Sequence, residues 1–198
     1  MNRNNYPVLS PRGVLKTIYV VLIALALLNL CGCTPAKLSE RSFFAMDTLI
    51  EMSIYGDNGE KALKDCEDSI IALEEKLSAQ LHGSEIWEIN RESGSPITVS
   101  EQTASLISQA LDVSGKTAGA FDITIYPLMK AWGFIDGDYR VPDSEQISEL
   151  LKLVGYQRVK AENSTVTLER GMAIDLGGIA KGYACDVLKQ ELAKNGID

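Results

Sequence analysis

The feature that most constrains the fold of this chain is its alternation of amphipathic helical segments with short β-type stretches. The clearest helical segment follows Asn58, where apolar residues recur at spacings of three or four and form one stripe. Those residues are Leu63, Cys66, Ile70, Leu73 and Leu77. Further helices are predicted near residues 85–90, 101–113, 143–155 and 179–195, with no internal repeat or low-complexity segment between them. The mixed order predicts an α+β fold.

Capping residues mark where these helices begin. Asn58, Ser84 and Ser100 stand directly before helical patterns, and Asp143 with Gln146 forms a capping box. The second long helix has a predicted core face of apolar residues. These are Leu106, Ile107, Ala110, Leu111 and Val113.

The β-type stretches are short and bounded by turn residues. We predict one strand over 43–55 that ends at Gly56, a strand over 97–99, and a hairpin around Asn163 and Ser164 that pairs 158–161 with 165–169. A buried strand is predicted over 173–176, and residues 119–142 are predicted to be irregular.

The N-terminus carries an export signal. Three basic residues and no acid precede an apolar run over 18–28, which is shorter than the roughly 20 residues that span a bilayer. The run ends in Leu30-Cys31-Gly32-Cys33, which resembles the lipobox of bacterial lipoproteins; Cys33 fits better than Cys31 because small Gly32 precedes it. We therefore predict a lipoprotein signal peptide over 1–32 and a lipidated tether over 33–41. An uncleaved signal anchor or a buried apolar helix is the alternative.

Charge and cysteine content argue against a nucleic-acid-binding protein and against a cysteine-based metal site. The formal net charge is −8, and all charged residues of the predicted export signal are basic, so the rest of the chain is more acidic still. Such an acidic chain is a poor binder of nucleic acid. Cys66 and Cys185 occupy apolar positions of helical patterns, without a CxxC or a Cys/His cluster. We interpret them as buried free thiols, with a disulfide as the alternative.

Two segments carry candidate chemistry. In residues 119–124, Asp122 follows Phe121 after a flexible glycine. The Phe121 ring could therefore pack against a planar ring of a ligand while the Asp122 carboxylate accepts a hydrogen bond from it. The alternative is an ordinary turn or cap aspartate.

The second segment is residues 174–182, where an apolar strand, two glycines and a helix start are consecutive. Asp175 stands in the apolar strand, where a carboxylate needs a partner, and Lys181 on the first helical turn opposes the helix dipole. Both facts favour a phosphate or nucleotide site. The alternative is a plain strand-to-helix turn with a capping role.

Five motifs, in this order and spacing, resemble the ApbE family of bacterial flavinyltransferases, the FAD:protein FMN transferases. The motifs are FAMDT at 44–48, SEIWEIN at 84–90, GAFDIT at 119–124, WGF at 132–134 and DLGGIAKG at 175–182. The resemblance covers roughly residues 42–198. It implies a T-fold-like core that is incomplete at the C-terminus, since Ile197 looks like the start of a new strand.

The resemblance also implies a function. Members use FAD and a divalent cation, Mg²⁺, to move FMN onto a Thr hydroxyl of a partner protein, with release of AMP. For this chain it implies an extracytoplasmic redox protein as acceptor, and a place at the bacterial cell membrane through a lipid anchor. Two alternatives are an FAD pyrophosphatase that yields FMN and AMP, and a flavin-binding lipoprotein without chemistry.

Site residues follow from the resemblance position by position. The implied FAD contacts are Met46, Ala120, Phe121, Asp122, Asp175 and Lys181, and Gly178 is implied to give a backbone carbonyl to the metal. The remaining metal ligands are expected beyond residue 198, so we expect these residues alone to be inactive. Two positions depart from the family pattern, namely Asp47, where glycine is common, and Gln80, where an aromatic residue is common.

Overall fold

The computed structural model describes residues 11–28 and 37–197, which belong to two separate units divided between Ala36 and Lys37. The first unit contains helix α1, Pro11–Leu28, whose described apolar side chains are exposed. Among the described residues, no helix is both long and apolar enough to span a membrane. Cys33 and the rest of the lipobox lie outside the described residues.

The second unit, called the body below, mixes helices with two small antiparallel sheets. Its helices are α2 Gly59–Leu77, α3 Glu85–Arg91, α4 Glu101–Lys116, α5 Tyr126–Ala131, α6 Ser144–Leu151 and α7 Gly177–Lys194. Its strands are β1 Leu38–Ala45, β2 Thr48–Tyr55, β3 Pro96–Thr98, β4 Lys160–Glu162 and β5 Thr165–Thr167. Strands β1 and β2 form one sheet, and the other has the order β3-β5-β4. The α+β prediction is confirmed.

The predicted single strand over 43–55 is wrong. The chain reverses at Met46 and Asp47, and β1 pairs with β2 so that Ala45 lies opposite Thr48. Both turn residues have positive φ, 51° and 55°, as a tight two-residue hairpin turn requires. Neither is the glycine or asparagine that usually marks such a turn. Strand β1 also begins at Leu38, so the body starts inside the segment predicted as a tether.

Local capping predictions are mostly confirmed. Ser84, Ser100 and Asp143 each accept a hydrogen bond from a backbone N–H three residues later. Asn58 stands at the predicted start of α2 but makes no side-chain cap. Helix α6 ends at Leu151 rather than at Gly155.

The α2 stripe lies in the core, because all five of its predicted residues are buried. The main apolar cluster joins the C-terminal end of α2 to α3, α4, β5 and the start of α7. On α4, Leu106, Ile107 and Ala110 are buried as predicted, whereas Val113 is 36% exposed and lies outside the core. Helices α2 and α7 pack together and connect distant parts of the chain.

The predicted strand over 173–176 is not a regular strand and pairs with no strand in the described body. Its backbone is satisfied by other groups: the Asn90 side chain bonds to both the N–H and the C=O of Ile174, and the Asp175 N–H donates to the Ile123 carbonyl. The segment is nevertheless buried as predicted at Ile174 and Leu176.

The end of α7 has a defined C-cap. The helix is closed by two backbone hydrogen bonds, from the Ile197 N–H to the Leu192 carbonyl and from the Gly196 N–H to the Ala193 carbonyl. This pair of bonds, with Gly196 at positive φ, is a Schellman motif. The expectation that a strand opens at Ile197 stays a prediction. Cys66 and Cys185 are free as predicted, but only Cys66 is buried.

Candidate functional site

A small cavity of about 100 Å³ lies where the β1–β2 turn, the end of α2 and the start of α7 meet. It brings together three residues that the sequence singled out, Met46, Asp175 and Lys181. Its full lining is Met46, Asp47, Glu74, Leu77, Ser78, Ala79, Gln80, Asp175, Gly177, Ala180 and Lys181. Three carboxylates and one ammonium therefore face a single space.

Asp175 is held rigidly at the base of this cavity. Its neighbours Ile174 and Leu176 are fully buried, whereas Asp175 is only partly buried and lines the cavity. Oδ1 accepts a hydrogen bond from the Gly177 N–H at 2.8 Å. Among the described residues, none donates a hydrogen bond to Oδ2, so that oxygen is available to a ligand.

Burial raises the pKa of the Asp175 carboxyl above its ordinary value. The hydrogen bond from Gly177 and the charge of Lys181 act in the opposite direction, and the charge of Asp47 adds to the rise. A carboxylate short of solvation gains from a ligand that donates a hydrogen bond, such as a ribose hydroxyl or a ring N–H.

The two glycines at the start of α7 are required by close packing. A Cβ on Gly178 would lie 2.9 Å from Cε2 of Phe121, and a Cβ on Gly177 would lie 2.9 Å from Oδ1 of Asp175. Phe121 therefore packs closely against the helix start, with Cε2 of its ring nearest to Gly178. The ring does not line the cavity itself.

The β1–β2 turn forms another wall. Glu74 of α2 accepts a hydrogen bond from the Met46 N–H at 2.9 Å, which anchors the turn to the helix. Met46 is half-buried against the main cluster, and Asp47 is exposed. Positive φ at two residues other than glycine is a strained conformation of the kind found at functional sites.

Lys181 supplies the positive charge of the cavity. It is exposed and forms no ion pair with another described side chain. Its charge lowers the pKa of Asp175, which places the ammonium within electrostatic range of that carboxyl. The prediction that Lys181 lies on the first turn is wrong, because α7 begins at Gly177 and Lys181 is its fifth residue. A cation without an ion-pair partner among the described side chains still suits a phosphate group.

Ala120 and Asp122 lie away from the cavity lining. Asp122 accepts bonds from the Thr124 N–H at 2.8 Å, the Thr124 hydroxyl at 2.6 Å and the Tyr156 N–H at 2.9 Å. Both of its oxygens are thus used within the protein. Asp122 therefore caps the turn at residues 123–125, and Ala120 is exposed. Their implied contacts with FAD stay predictions.

A larger and more open groove of about 630 Å³ adjoins the cavity, with Ala79 and Gln80 lining both. Its far side carries Trp87, with the Arg91 guanidinium 4.8 Å from the ring centre. Tyr126 also lines it, and burial together with the charge of Asp175 raises the pKa of the phenol. The cavity and the groove together form one cleft with an acidic end and an aromatic end.

Sequence reasoning missed three residues of this cleft. Glu74 stands four residues after Ile70, so an acid next to the apolar stripe of α2 was the available signal. Tyr126 lies in the segment predicted to be irregular, and Asn90 ends the SEIWEIN motif, but its role was not predicted because its partner is 84 residues away.

The residues of the body do not by themselves form a metal centre. Within residues 11–28 and 37–197, no three Asp, Glu, His or Cys side chains are grouped to hold a metal ion. The Gly178 carbonyl is a single candidate ligand, whereas Mg²⁺ prefers near-octahedral oxygen coordination.

The mixed α+β fold defines the class of protein. Solved structures share this fold: the ApbE protein of Thermotoga maritima superposes with a TM-score of 0.75 at 34% identity, over 79% of this chain and 53% of that one. A structure described as the flavin transferase ApbE of Vibrio cholerae gives a TM-score of 0.76 at 27% identity, over 82% of this chain and 55% of that one.

The chain belongs to the ApbE family, whose model matches residues 46–198. A Vibrio cholerae protein named FAD:protein FMN transferase is 31% identical, with 89% of this chain and 56% of the relative covered. An Escherichia coli K12 protein of the same name is 30% identical, with 67% of this chain and 38% of the relative covered. The chain thus spans about half the length, or less, of the curated relatives it matches.

Proposed function

We propose that the protein is an FAD:protein FMN transferase that modifies a Thr hydroxyl of an extracytoplasmic redox protein. The observation that carries this proposal is the cleft at the DLGGIAKG segment, in a chain of the ApbE family. The Thr oxygen bonds to the phosphorus of the FMN moiety while the pyrophosphate P–O bond breaks. AMP leaves, and the hydroxyl proton is released.

The residues of the cleft match parts of FAD by their chemistry. Asp175 offers a poorly solvated oxygen to hydroxyl or N–H groups of a nucleotide. Lys181 attracts the pyrophosphate, and its charge offsets negative charge that develops as AMP departs. Tyr126 in the adjoining groove gives an aromatic surface of the kind on which planar rings pack, whereas the Trp87 ring already contacts His82 and Arg91.

The size of the cleft supports a ligand larger than one nucleotide ring. Ligand pockets for drug-sized molecules are typically about 300–1,000 Å³. The cavity of about 100 Å³ is too small for FAD, whereas the groove of about 630 Å³ extends the same space. We infer that FAD occupies both.

Mg²⁺ dependence is part of the proposal, but the residues present do not fit a complete Mg²⁺ site. We therefore assign no step of the reaction to the metal. The expectation that these 198 residues are inactive alone stays a prediction.

Lipid anchoring and an extracytoplasmic location are proposed from the sequence. The apolar run 18–28 lies in helix α1, which no acidic residue interrupts. This is consistent with the hydrophobic region of a signal peptide. Lipidation of Cys33 would then hold the body at the membrane.

The test is to incubate the intact protein with FAD and Mg²⁺, with and without a Thr-containing acceptor, and to measure AMP, free FMN and the acceptor mass. We expect AMP and flavinylated acceptor, both abolished when the acceptor Thr is replaced by Val. AMP with free FMN in either reaction would identify a pyrophosphatase instead. Tight FAD binding without AMP would identify a binding protein.

A further inference from the structure

The Asn90 side chain replaces a neighbouring strand for the segment that carries Asp175. Its Oδ1 accepts from the Ile174 N–H at 2.7 Å, and its Nδ2 donates to the Ile174 carbonyl at 2.9 Å. A side-chain amide has one donor group and one acceptor, as a peptide unit does. Asn90 therefore satisfies both backbone groups of a fully buried residue at once.

The element that carries Asn90 is itself fixed. Helix α3 is capped by Ser84, and its Ile86 and Ile89 are buried in the main cluster. Glu85 bonds to the N–H and the hydroxyl of Ser100, which ties α3 to the start of α4. The amide of Asn90 is thus presented from a rigid support.

The position of Asp175 depends on this pairing. Ile174 is the residue directly before Asp175, and the Asp175 N–H is held on the other side by Ile123 at 2.8 Å. With both residues anchored, the carboxyl has little freedom except toward the cavity. Without the Asn90 amide, the segment would lose two of the hydrogen bonds that hold its backbone in place.

We infer that Asn90 is a positioning residue, which fixes the backbone at Ile174 so that the Asp175 carboxyl is directed into the cavity. The effect on flavin binding rests on the proposed function, whereas the effect on Asp175 itself does not. The contacts of α3 give Asn90 no other polar partner in the described body.

The first test uses Asn90→Leu, which keeps a similar volume and removes both hydrogen bonds. The titration of the Asp175 carboxyl carbon is followed by NMR in the intact protein. We expect the carboxyl to gain access to water, so its pKa should fall toward the ordinary value. FAD affinity should fall about tenfold or more, in line with the loss of hydrogen bonds to buried groups. An unchanged Asp175 titration in the folded variant would overturn the inference.

The second test uses Asn90→Asp, whose carboxyl matches the amide only when protonated. At about pH 7.5 the carboxylate faces the Ile174 carbonyl and repels it, whereas near about pH 5 a protonated, buried carboxyl can donate to it. Relative to the unmodified protein at the same pH, FAD affinity should be about tenfold weaker at the higher pH and should recover at the lower one. The control is Asn58→Asp, which adds a carboxyl at a position where the asparagine makes no side-chain cap. The ratio of its FAD affinity to that of the unmodified protein should be the same at both pH values.

The outcomes separate the two proposals. If the unmodified protein binds no FAD but Asn90→Leu lowers the pKa of Asp175, the positioning role stands and the flavin function fails. If the FAD affinity of Asn90→Asp, relative to that of the unmodified protein, is equal at both pH values, the positioning role is overturned. Failure of both variants to fold at either pH would assign Asn90 to folding alone and would also overturn it.

Discussion

At the scale of single residues, Asp122 and Asp175 show how the same side chain serves two purposes. Asp122 uses both oxygens for three hydrogen bonds that join residue 122 to Thr124 and Tyr156. Asp175 uses one oxygen for Gly177 and turns the other toward a cavity. The two aspartates look alike in sequence, since each stands in a short motif with glycine nearby.

Asp122→Asn should destabilise the body, contrary to a role in ligand binding alone. The amide keeps one acceptor oxygen but presents N–H donors to the Tyr156 N–H, so one bond is lost and two donors face each other. The expected loss is about 1–3 kcal/mol in the free energy of unfolding. Urea unfolding of the two proteins measures it.

Asp143→Asn is the matched control for that prediction. Asp143 accepts one cap bond from the Gln146 N–H in an exposed turn, and asparagine caps a helix about as well. We expect it to change the unfolding free energy little. A loss for Asp122→Asn no larger than that of the control would show that these three hydrogen bonds do not stabilise the body.

Asp175→Asn should have the opposite effect on stability. Burial raises the folded-state pKa of Asp175 above 3.8, so the ionised carboxyl is disfavoured in the folded state. The protonated carboxyl is not disfavoured in this way. The contribution of Asp175 to the free energy of unfolding is therefore greatest below its unfolded-state pKa and declines as the pH rises through the raised folded-state pKa. The uncharged amide avoids that decline, so the variant should melt higher at neutral pH.

The pH dependence distinguishes this prediction from a general effect of the substitution. The difference in melting temperature should shrink as the pH is lowered to the unfolded-state value of about 3.9. FAD binding should weaken in the same variant, because a negatively charged acceptor is lost. A variant that is less stable at neutral pH would show that the carboxylate is stabilising in the folded state.

At the scale of elements, predictions succeeded where the cause is local. The caps at Ser84 and Ser100 and the turn at Asn163 depend on a few consecutive residues, and each is confirmed. The β1–β2 turn was missed because Met46 and Asp47 adopt positive φ without being glycine. Residues 173–176 were misassigned because their partner is a side chain of α3, far away in sequence.

The start of α7 gives a prediction about close packing. In Gly178→Ala the new methyl group would lie 2.9 Å from the Phe121 ring, so the ring or the helix start must shift. Overpacking of this kind costs about 1–3 kcal/mol. Thermal unfolding measures the cost, and FAD binding should weaken because Asp175 and Lys181 flank the shifted turn.

Gly182→Ala is the control on the same helix. A Cβ there meets nothing within 4 Å, and alanine favours the helix by about 0.5–1 kcal/mol. This variant should be more stable than the unmodified protein. Equal effects of the two substitutions would mean that contact with Phe121 does not restrict Gly178.

At the scale of the whole molecule, the site depends on contacts that no local pattern announces. Helix α2 contributes Leu73 and Leu77 to the main cluster and Leu63 to a smaller one, and α7 reaches the same two clusters through Ala180 and Leu192. This pairing brings Glu74 and Lys181 to one cavity although the sequence separates them widely. The motifs predicted which residues matter, while the packing of two distant helices decides that they meet.

Lipid anchoring is the prediction that belongs to the whole molecule. Because β1 begins at Leu38, only a few residues separate Cys33 from the body. A fully extended chain from Cys33 to Lys37 spans at most about 14 Å, so an acylated Cys33 would hold the body close to the membrane surface. Two acyl chains give stable anchoring, whereas one gives marginal binding. The acceptor would then have to present its Thr near that surface.

Cys33→Ser should abolish acylation, measured by metabolic labelling with a fatty acid, and should move the protein from the membrane fraction or leave it unprocessed. Cys31→Ser, the control two residues earlier, should be acylated normally. Labelling that survives Cys33→Ser and disappears in Cys31→Ser would place the anchor at Cys31 instead.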